Sequence, residues 1–231
     1  MRRASLLCTA AWLALAVPPV FAQTQPQPQP QPAAPEPSAA ERLVFQQDHL
    51  ANTRQPGALR YVYVEEAEGK PRVTDRAVIT LSQGAAGCCD VHGDYLTGAL
   101  AVNLPDIPQA RGNPVVLYFL EGEVRRLQRT TNGQAAHFRR RIRQSLVDAA
   151  TVSDTTIRWG AKDVPARLVR IAPFADDPFR NRFEDQAATE YTILLSDAVP
   201  GGVYQLRALL PGASAGAAPR ASRTLTMAET N

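Results

Sequence analysis

Alternating apolar and polar residues, the pattern of half-buried strands, occur on both sides of a middle part whose apolar residues have the helical period. On the N-terminal side, three stretches are rich in the β-branched and aromatic residues that favour strands. Before them, Ser38 and Glu41 are spaced as a capping box, which predicts a short helix over Ala39 to Leu50. The three predicted strands are Leu59 to Glu66, Arg76 to Ser82 and Tyr95 to Leu104.

Two helices are predicted in the middle of the chain. Asn113 and Pro114 are typical of a helix start, and the apolar residues after them recur at spacings of three and four. The first two turns are apolar on nearly all sides, so we expect them to be buried. Asn132-Gly133 ends this helix, and a second helix is predicted over about Gln134 to Ala149. The apolar stripes are Leu117, Leu120, Val124 and Leu127 on the first helix, and Phe138, Ile142 and Leu146 on the second.

Five more strands are predicted after the helices. Turns that contain glycine separate two pairs of strand-like stretches, which predicts two hairpins followed by a last strand. The first hairpin comprises Thr155 to Trp159 and Val164 to Ala172, the second comprises Thr189 to Ser196 and Val203 to Leu210, and the last strand covers Arg223 to Met227. Three strands, two helices and five strands predict an α+β fold, with an antiparallel sheet and an inserted helical hairpin packed on one face.

This arrangement resembles the lipoprotein-carrier family of the bacterial envelope. The likeness lies in the element order over Glu41 to Met227, and in Trp159-Gly160-Ala161-Lys162-Asp163 and Ile171-Ala172-Pro173, which are similar to a hairpin and its exit in that family. The resemblance implies a strongly curved antiparallel sheet, open as a half-barrel, with helices that close its mouth over an apolar cavity. Asn113 to Leu146 also resembles a stretch of exported proteobacterial proteins, which implies no activity.

Residues 1 to 22 have the features of a secretory signal peptide. Arg2 and Arg3 precede the apolar stretch Ala4 to Val17, and Ala22 is a small residue at the expected cleavage point. The apolar stretch is too short to span a membrane comfortably and no other long one follows, so the mature chain is predicted to lack a transmembrane segment. Of the 25 basic residues only Lys70 and Lys162 are lysine. This is typical of a GC-rich bacterium, in which export leads to the periplasm.

The remaining chain divides into a linker and one domain. Residues 23 to 40 are rich in proline and glutamine, which favours a disordered or polyproline II linker. Residues 41 to 231 have the composition of a single globular domain. Loss of the signal peptide leaves 23 basic and 22 acidic residues, a net charge of +1. Nucleic-acid binding is therefore not expected, because it needs a clear excess of positive charge.

An incomplete metal motif lies at Asp90-Val91-His92-Gly93-Asp94. It resembles the first motif of calcineurin-type metallophosphoesterases, but Gly112-Asn113 is followed by Pro114, and His49 and His137 are the only other histidines. That set is too small to ligate two metal ions. We expect a polar turn at the tip of a hairpin here, no metal or cofactor, and a metal-dependent phosphoesterase only as a distant third hypothesis.

An incomplete nucleophile motif lies at Gly212-Ala213-Ser214-Ala215-Gly216. It matches the Gly-x-Ser-x-Gly pattern of hydrolases, whose catalytic histidine follows the serine in the chain. The last histidine of this sequence is His137. We therefore expect a loop of small residues between two strands.

Cys88 and Cys89 are the cysteines that remain after signal cleavage. In an oxidising compartment, two neighbouring thiols can form a disulfide, bind a soft metal near His92, react with other thiols or stay reduced. On a regular strand they would point to opposite faces. A disulfide or inert thiols are favoured over metal binding and redox chemistry.

Arginines are concentrated in the two predicted helices. Glu121 and Glu123 are spaced to pair with Arg125 and Arg126, which is ordinary chemistry for a helix surface. The alternative is an anionic partner, since the arginine fork suits phosphate and carboxylate. The other arginines of the cluster are Arg129, Arg139, Arg140, Arg141 and Arg143.

The sequence predicts a non-enzymatic periplasmic protein that binds an apolar or amphiphilic small molecule or lipid between the sheet and the helices. The alternative is an interaction module for an envelope protein, with a solidly packed core. A cavity on the concave side of the sheet would distinguish the two. Candidate cavity residues are Leu117, Phe119, Leu120 and Val124, and candidate head-group residues are Arg139, Arg140 and Arg143.

Overall fold

An open, curved sheet of eight antiparallel strands is the main element of the computed structural model, which describes residues 36–53, 57–85, 87–214 and 216–229. The predicted signal peptide and residues 23–35 of the predicted linker lie outside these residues. The strands are β1 (Gly57–Ala67), β2 (Val73–Gly84), β3 (Gly87–Tyr95), β4 (Thr151–Trp159), β5 (Lys162–Ile171), β6 (Glu190–Leu195), β7 (Val203–Leu210) and β8 (Ala221–Met227). Their order in the sheet is β3-β2-β1-β8-β7-β6-β5-β4.

The main helices form a hairpin between β3 and β4. They are α2 (Val115–Thr131) and α3 (Ala135–Asp148), and a short helix α1 (Ala39–Glu41), continued by a π-helical turn over Arg42–Gln46, precedes the sheet. Helix α2 packs against α3 and against β7. The predicted α+β class, antiparallel sheet and inserted helical hairpin are confirmed.

The third strand lies earlier in the chain than predicted. It covers Gly87–Tyr95, whereas we expected a polar turn at residues 90 to 94 and a strand over Tyr95 to Leu104. Cys89, Val91 and Tyr95 are buried on one side of this strand, and the residues between them are polar. The alternation is interrupted where Gly93 occupies an inward position.

Gly93 makes room for the ring of Tyr118 on α2. A Cβ atom at position 93 would lie 2.5 Å from Cε2 and Cζ of Tyr118, much closer than van der Waals contact. The same ring stacks on Tyr95, with ring centroids 5.5 Å apart and planes inclined by 14°. The glycine therefore lets an aromatic side chain of the helix lie directly against the strand backbone.

The loop before α2 covers the free edge of β3. Val91 exchanges two backbone hydrogen bonds with Ile107, and the Ala110 N–H donates to the Cys89 carbonyl at 2.7 Å. Val102, in the stretch predicted as a strand, donates to the Tyr95 carbonyl at 3.1 Å, so the loop from Val102 to Ala110 runs as a strap along the edge. This satisfies backbone groups that would otherwise be available for pairing with another chain.

The predicted N-terminal helix is shorter than expected. Its capping box is present, because Ser38 Oγ accepts from the Glu41 N–H at 3.1 Å and Glu41 Oε2 accepts from the Ser38 N–H at 2.9 Å. The π-helical turn ends at Gln46, and not at Leu50 as predicted. The chain turns inward there because His49 is buried, with its Nε2 2.7 Å from the Leu43 carbonyl.

Asn113 fixes the start of α2 against the sheet. Its Oδ1 accepts from the Val115 N–H at 3.1 Å, and its Nδ2 donates to the Tyr61 hydroxyl and the Gly201 carbonyl, both at 2.8 Å. One free N–H of the helix end is thus satisfied. The Asn113 N–H donates to His49 Nδ1 at 3.2 Å, so the N-terminal turn is tied to the same point.

Candidate functional site

A groove with a volume of about 320 Å³ lies between α2 and α3. Its lining comes from these two helices, the π-helical turn and the loop before α2, with seven apolar and three charged side chains. This volume is at the lower end of the range of about 300–1,000 Å³ for small-molecule sites. The apolar residues are Phe45, Leu104, Leu117, Leu120, Val124, Ile142 and Leu146, and the charged ones are Glu121, Arg139 and Arg143.

The helical period builds the groove from both sides. Leu117, Leu120 and Val124 follow one another at spacings of three and four, so they line up along the side of α2 that faces α3. Val124 is buried and forms part of the floor, whereas 45% of Leu117 remains exposed. Phe45, from the π-helical turn, is 42% exposed at the same opening. Large apolar side chains are therefore accessible at the rim as well as at the floor.

The charged side of the groove contains one paired and one available arginine. Arg139 donates to both carboxylate oxygens of Glu121, at 2.6 and 2.8 Å, and Arg125 Nε lies 3.3 Å from the same carboxylate. The hydrogen bond from Arg139 lowers the pKa of Glu121. Arg143 is exposed and forms no ion pair with the side chains that the structure describes. An anionic group in the groove would therefore meet Arg143 first.

Five of the seven candidate ligand residues from the sequence line this groove: Leu117, Leu120, Val124, Arg139 and Arg143. Phe119 is buried on the other side of α2. Arg140 points away from the groove lining, and its Nη2 lies 3.3 Å from Nδ1 of His137. The sequence did not suggest Phe45, because it lies outside the helical pattern that defined the other residues.

The space between the sheet and α2 is much smaller. A cavity of about 160 Å³ is lined there by Phe119, Tyr63, Tyr95 and the charged pair Glu123 and Arg223, among others. This volume is below the usual range for ligand sites. The larger apolar space thus differs from the predicted one, which we expected between the sheet and the helices.

A buried ion pair occupies the interface between α2 and the sheet. Arg223 of β8 donates to both oxygens of Glu123, at 2.6 and 3.0 Å, and their side chains are 3% and 5% exposed. Burial raises the pKa of Glu123, but the guanidinium groups of Arg126 and Arg223 outweigh it and lower the pKa to about 2. A charged pair therefore lines part of the space between the sheet and α2, where we expected an apolar ligand.

The two incomplete enzyme motifs lie apart from the groove. His92 is on β3, with Nδ1 2.6 Å from Asp106 and Nε2 3.4 Å from Asp94, and the hydrogen bond to Asp106 raises its pKa. Both ring nitrogens thus face carboxylates. Across the described ranges, no group of three or more His, Cys, Asp or Glu residues is arranged to hold a metal ion. Ser214 lies in the loop between β7 and β8.

Cys88 and Cys89 form a disulfide in β3. Cys89 is fully buried, and Cys88 is exposed. Both cysteines lie in the edge strand of the sheet. The strap covers this edge, and the carbonyl of Cys89 accepts a hydrogen bond from the Ala110 N–H. Neither cysteine lines the groove.

The comparisons with known proteins found a weak structural likeness and no family. No protein-family model matches the chain. No curated protein matches it at a significant level. Among the described residues, no helix has the length and apolar character needed to cross a bilayer. The solved structure of the lipoprotein LppX from Mycobacterium tuberculosis is similar over 83% of this chain and 95% of that chain, with 10% sequence identity and a TM-score of 0.35. A likeness of this size carries no argument about function.

Proposed function

We propose that this protein binds an amphiphilic molecule in the groove between α2 and α3, with the apolar part against the leucines and the anionic head at Arg143. The observation that carries the proposal is the combination of accessible Leu117 and Phe45 with an arginine that has no acidic partner among the described side chains. Exposed apolar side chains grouped in a groove are typical of ligand or partner sites.

The size of the groove limits the ligand to one apolar chain or a small ring system. Full burial of a large apolar side chain contributes about 1.5–3 kcal/mol, and Phe45 and Leu117 are already half-buried. Their contribution is therefore about half of that value each. Contact with Leu120 and a charge-assisted hydrogen bond from Arg143 would add to it. Burial of the ligand's own apolar chain adds a further contribution, and we expect micromolar affinity, which corresponds to about 8 kcal/mol, for an anionic single-chain amphiphile.

A second candidate function is supported by the small volume between the sheet and α2. The cavity of about 160 Å³ and the buried Glu123–Arg223 pair fit a packed interaction module better than a carrier that holds its ligand there. In that case the groove would take an apolar side chain of an envelope protein. Neither candidate function is enzymatic, and both place the protein in the periplasm on the basis of residues 1 to 22.

The decisive experiment measures binding of a dansyl-labelled fatty acid and of its neutral methyl ester. Leu120→Glu should abolish binding of both, because it places an unpaired charge at the groove. Leu168→Glu is the matched control, since Leu168 of β5 is also half-buried but lies outside the groove.

Arg143→Glu should weaken binding of the fatty acid more than that of the ester, and added salt should reduce the difference by screening. Arg140→Glu was expected from the sequence to act in the same way, but its position outside the lining makes it the control here. Lipid extraction and mass spectrometry of protein from its own periplasm would identify the natural ligand. Absence of probe binding by the wild type, together with an extract free of lipid, would reject the proposal in favour of the interaction module.

A further inference from the structure

We propose that the outer face of α3 and the adjoining loop is a docking surface for an anionic phospholipid bilayer. This docking face comprises Arg140, Arg143 and Val147 on α3, and Phe179, Arg180 and Arg182 on the loop between β5 and β6. The inference goes beyond the proposed function, because docking needs no ligand in the groove.

The loop and the helix form one continuous surface. The ring of Phe179 lies against His137 of α3, with ring centroids 5.7 Å apart. Cζ of Arg182 lies over the Phe179 ring, 5.3 Å from its centroid. Nη2 of Arg140 lies 3.3 Å from His137 Nδ1. The Phe179 ring thus contacts Arg182 on the loop and His137 on α3, and Arg140 lies beside that histidine.

The positive charge of this surface is not neutralised by its neighbours. In the parts of the chain that the structure describes, Arg140, Arg143, Arg180 and Arg182 form no ion pairs. Two acidic residues near them, Asp176 and Asp177, are engaged with other side chains. Asp177 is buried and bonded to His137 at 2.7 Å and to Arg141 at 3.2 Å, and Asp176 pairs with Arg141 at 2.5 Å.

Exposed apolar side chains are concentrated around the same helix. Phe179 is 47% exposed and Val147 is 40% exposed, both on the docking face. Phe45 and Leu117, at the groove opening, are 42% and 45% exposed. Six large apolar side chains are exposed among the described residues. These four lie on or beside α3, and the other two are on the sheet.

This pattern favours a bilayer over an acidic protein. Separate exposed apolar side chains among arginines suit the interface of a membrane, where rings enter the head-group region and guanidinium groups bind phosphates. A protein partner would instead be expected to meet a packed central pocket. Each arginine near an anionic bilayer strengthens binding about fivefold, so the four arginines together are expected to strengthen it about 600-fold.

Co-sedimentation of the mature protein with vesicles tests the proposal. Wild-type protein should bind vesicles of equal parts phosphatidylglycerol and phosphatidylcholine, but not vesicles of phosphatidylcholine alone, and salt should weaken binding. Arg140→Glu with Arg182→Glu should weaken it at least about 25-fold. Arg140→Gln with Arg182→Gln should give a smaller loss, which controls for folding.

Arg60→Glu with Arg76→Glu is the matched control, because it changes the net charge equally at two exposed arginines of β1 and β2. This control should lose little binding. Phe179→Ala should weaken binding about tenfold while leaving the salt dependence intact, because it removes apolar and not ionic contact.

Failure of this proposal can be separated from failure of the ligand groove. Leu120→Glu should retain vesicle binding even though it loses the fatty-acid probe, and Arg140→Glu with Arg182→Glu should retain the probe. Absence of wild-type binding to the anionic vesicles, or an equal loss in the Arg60 and Arg76 control, would overturn the docking face. An acidic protein partner would be indicated if binding to a periplasmic protein, and to no vesicle, depended on Arg140 and Arg182.

Discussion

Glu123 of α2 accepts two hydrogen bonds from the Arg223 guanidinium of β8, and both side chains are buried at the interface between the helix and the sheet. The two residues are 100 positions apart in the chain, so their contact joins the helical hairpin to the centre of the sheet. Arg126 adds a second guanidinium on the same carboxylate at 3.2 Å. Removal of the carboxylate charge would leave two buried or half-buried cations without their partner.

Glu123→Gln is expected to lower the free energy of unfolding by about 3–5 kcal/mol, the usual effect of breaking a buried pair on one side. The double variant Glu123→Leu with Arg223→Met should lose less than Glu123→Gln alone, because it removes both charges and keeps the volume filled. Urea denaturation of wild type, Glu123→Gln, the single variants Glu123→Leu and Arg223→Met, and the double variant measures this. If the losses in free energy of unfolding of the two single variants simply add up to the loss of the double variant, the two residues are not coupled.

The same pair predicts sensitivity to strong acid. The pKa of Glu123 in the folded protein, about 2, is below its ordinary value of 4.5. Its contribution to stability is therefore present above about pH 4.5 and is lost as the pH falls toward 2. The free energy of unfolding of Glu123→Gln should therefore change less with pH between about 4.5 and 2 than that of wild type. Denaturation of both proteins at each pH measures this.

His49 predicts a second pH dependence, at higher pH. Burial lowers its pKa from the ordinary value of 6.5, despite the hydrogen bond to Leu43, so the folded protein favours the neutral ring. Its contribution to stability is therefore present above about pH 6.5. This contribution is lost as the pH falls, because the unfolded chain takes up a proton at a higher pH than the folded protein does. His49→Gln should lower stability by about 1–3 kcal/mol at pH 8 through lost hydrogen bonds.

Between pH 8 and pH 5, the gap between wild type and His49→Gln should narrow. The comparison is needed because His92 acts in the opposite direction: its raised pKa stabilises the fold at low pH, and this is lost as the pH rises. Thermal denaturation across the range provides the data. A difference in stability that stays constant with pH would show that His49 has the same pKa in the folded and the unfolded protein.

The cysteine pair should have a small effect on stability. Oxidised protein is expected to contain no free thiol at Cys88 or Cys89 and to form no disulfide with a second molecule. Cys88→Ala with Cys89→Ala should change the free energy of unfolding by about 0–2 kcal/mol, because a ring between neighbouring residues restrains little chain. Thiol titration and denaturation test this. One equivalent of zinc or copper in the wild type, lost in the double variant, would contradict it.

Protein isolated from a periplasmic extract should begin at Gln23. Arg2 and Arg3, the apolar stretch and Ala22 together form the signal on which this depends. Intact-mass measurement is the test. A membrane-bound form that retains Met1 would show that the segment acts as an anchor.

The sequence located most elements because their burial is periodic. The stripes of α2 and α3 and the strand β7, with bounds Val203–Leu210 as predicted, bury one side at a regular spacing. The strand β3 was displaced in the prediction because its outward residues are polar and Gly93 leaves an inward position without a side chain. The apolar alternation that predicts a strand is therefore weak over Gly87–Tyr95.

The groove could be predicted only in part, since it depends on how the helices are rotated. Burial of Phe138, Ile142 and Leu146 turns Arg139 and Arg143 toward α2. Arg140 follows Arg139 by about 100° around the helix, so it faces outward. Phe45 and the arginines of the loop between β5 and β6 come from segments without a regular period, and only the folded chain brings them beside α3.

Gly93 gives experimental control over the distance between the helical hairpin and the sheet. Because Tyr118 rests on its Cα, each added carbon atom at position 93 would act as a wedge under α2. A series with Ala, Ser and Val at this position would separate the layers in steps, at increasing expense in stability. Such a series would widen the space between α2 and the sheet in steps, so that one residue sets the size of the ligand that fits there.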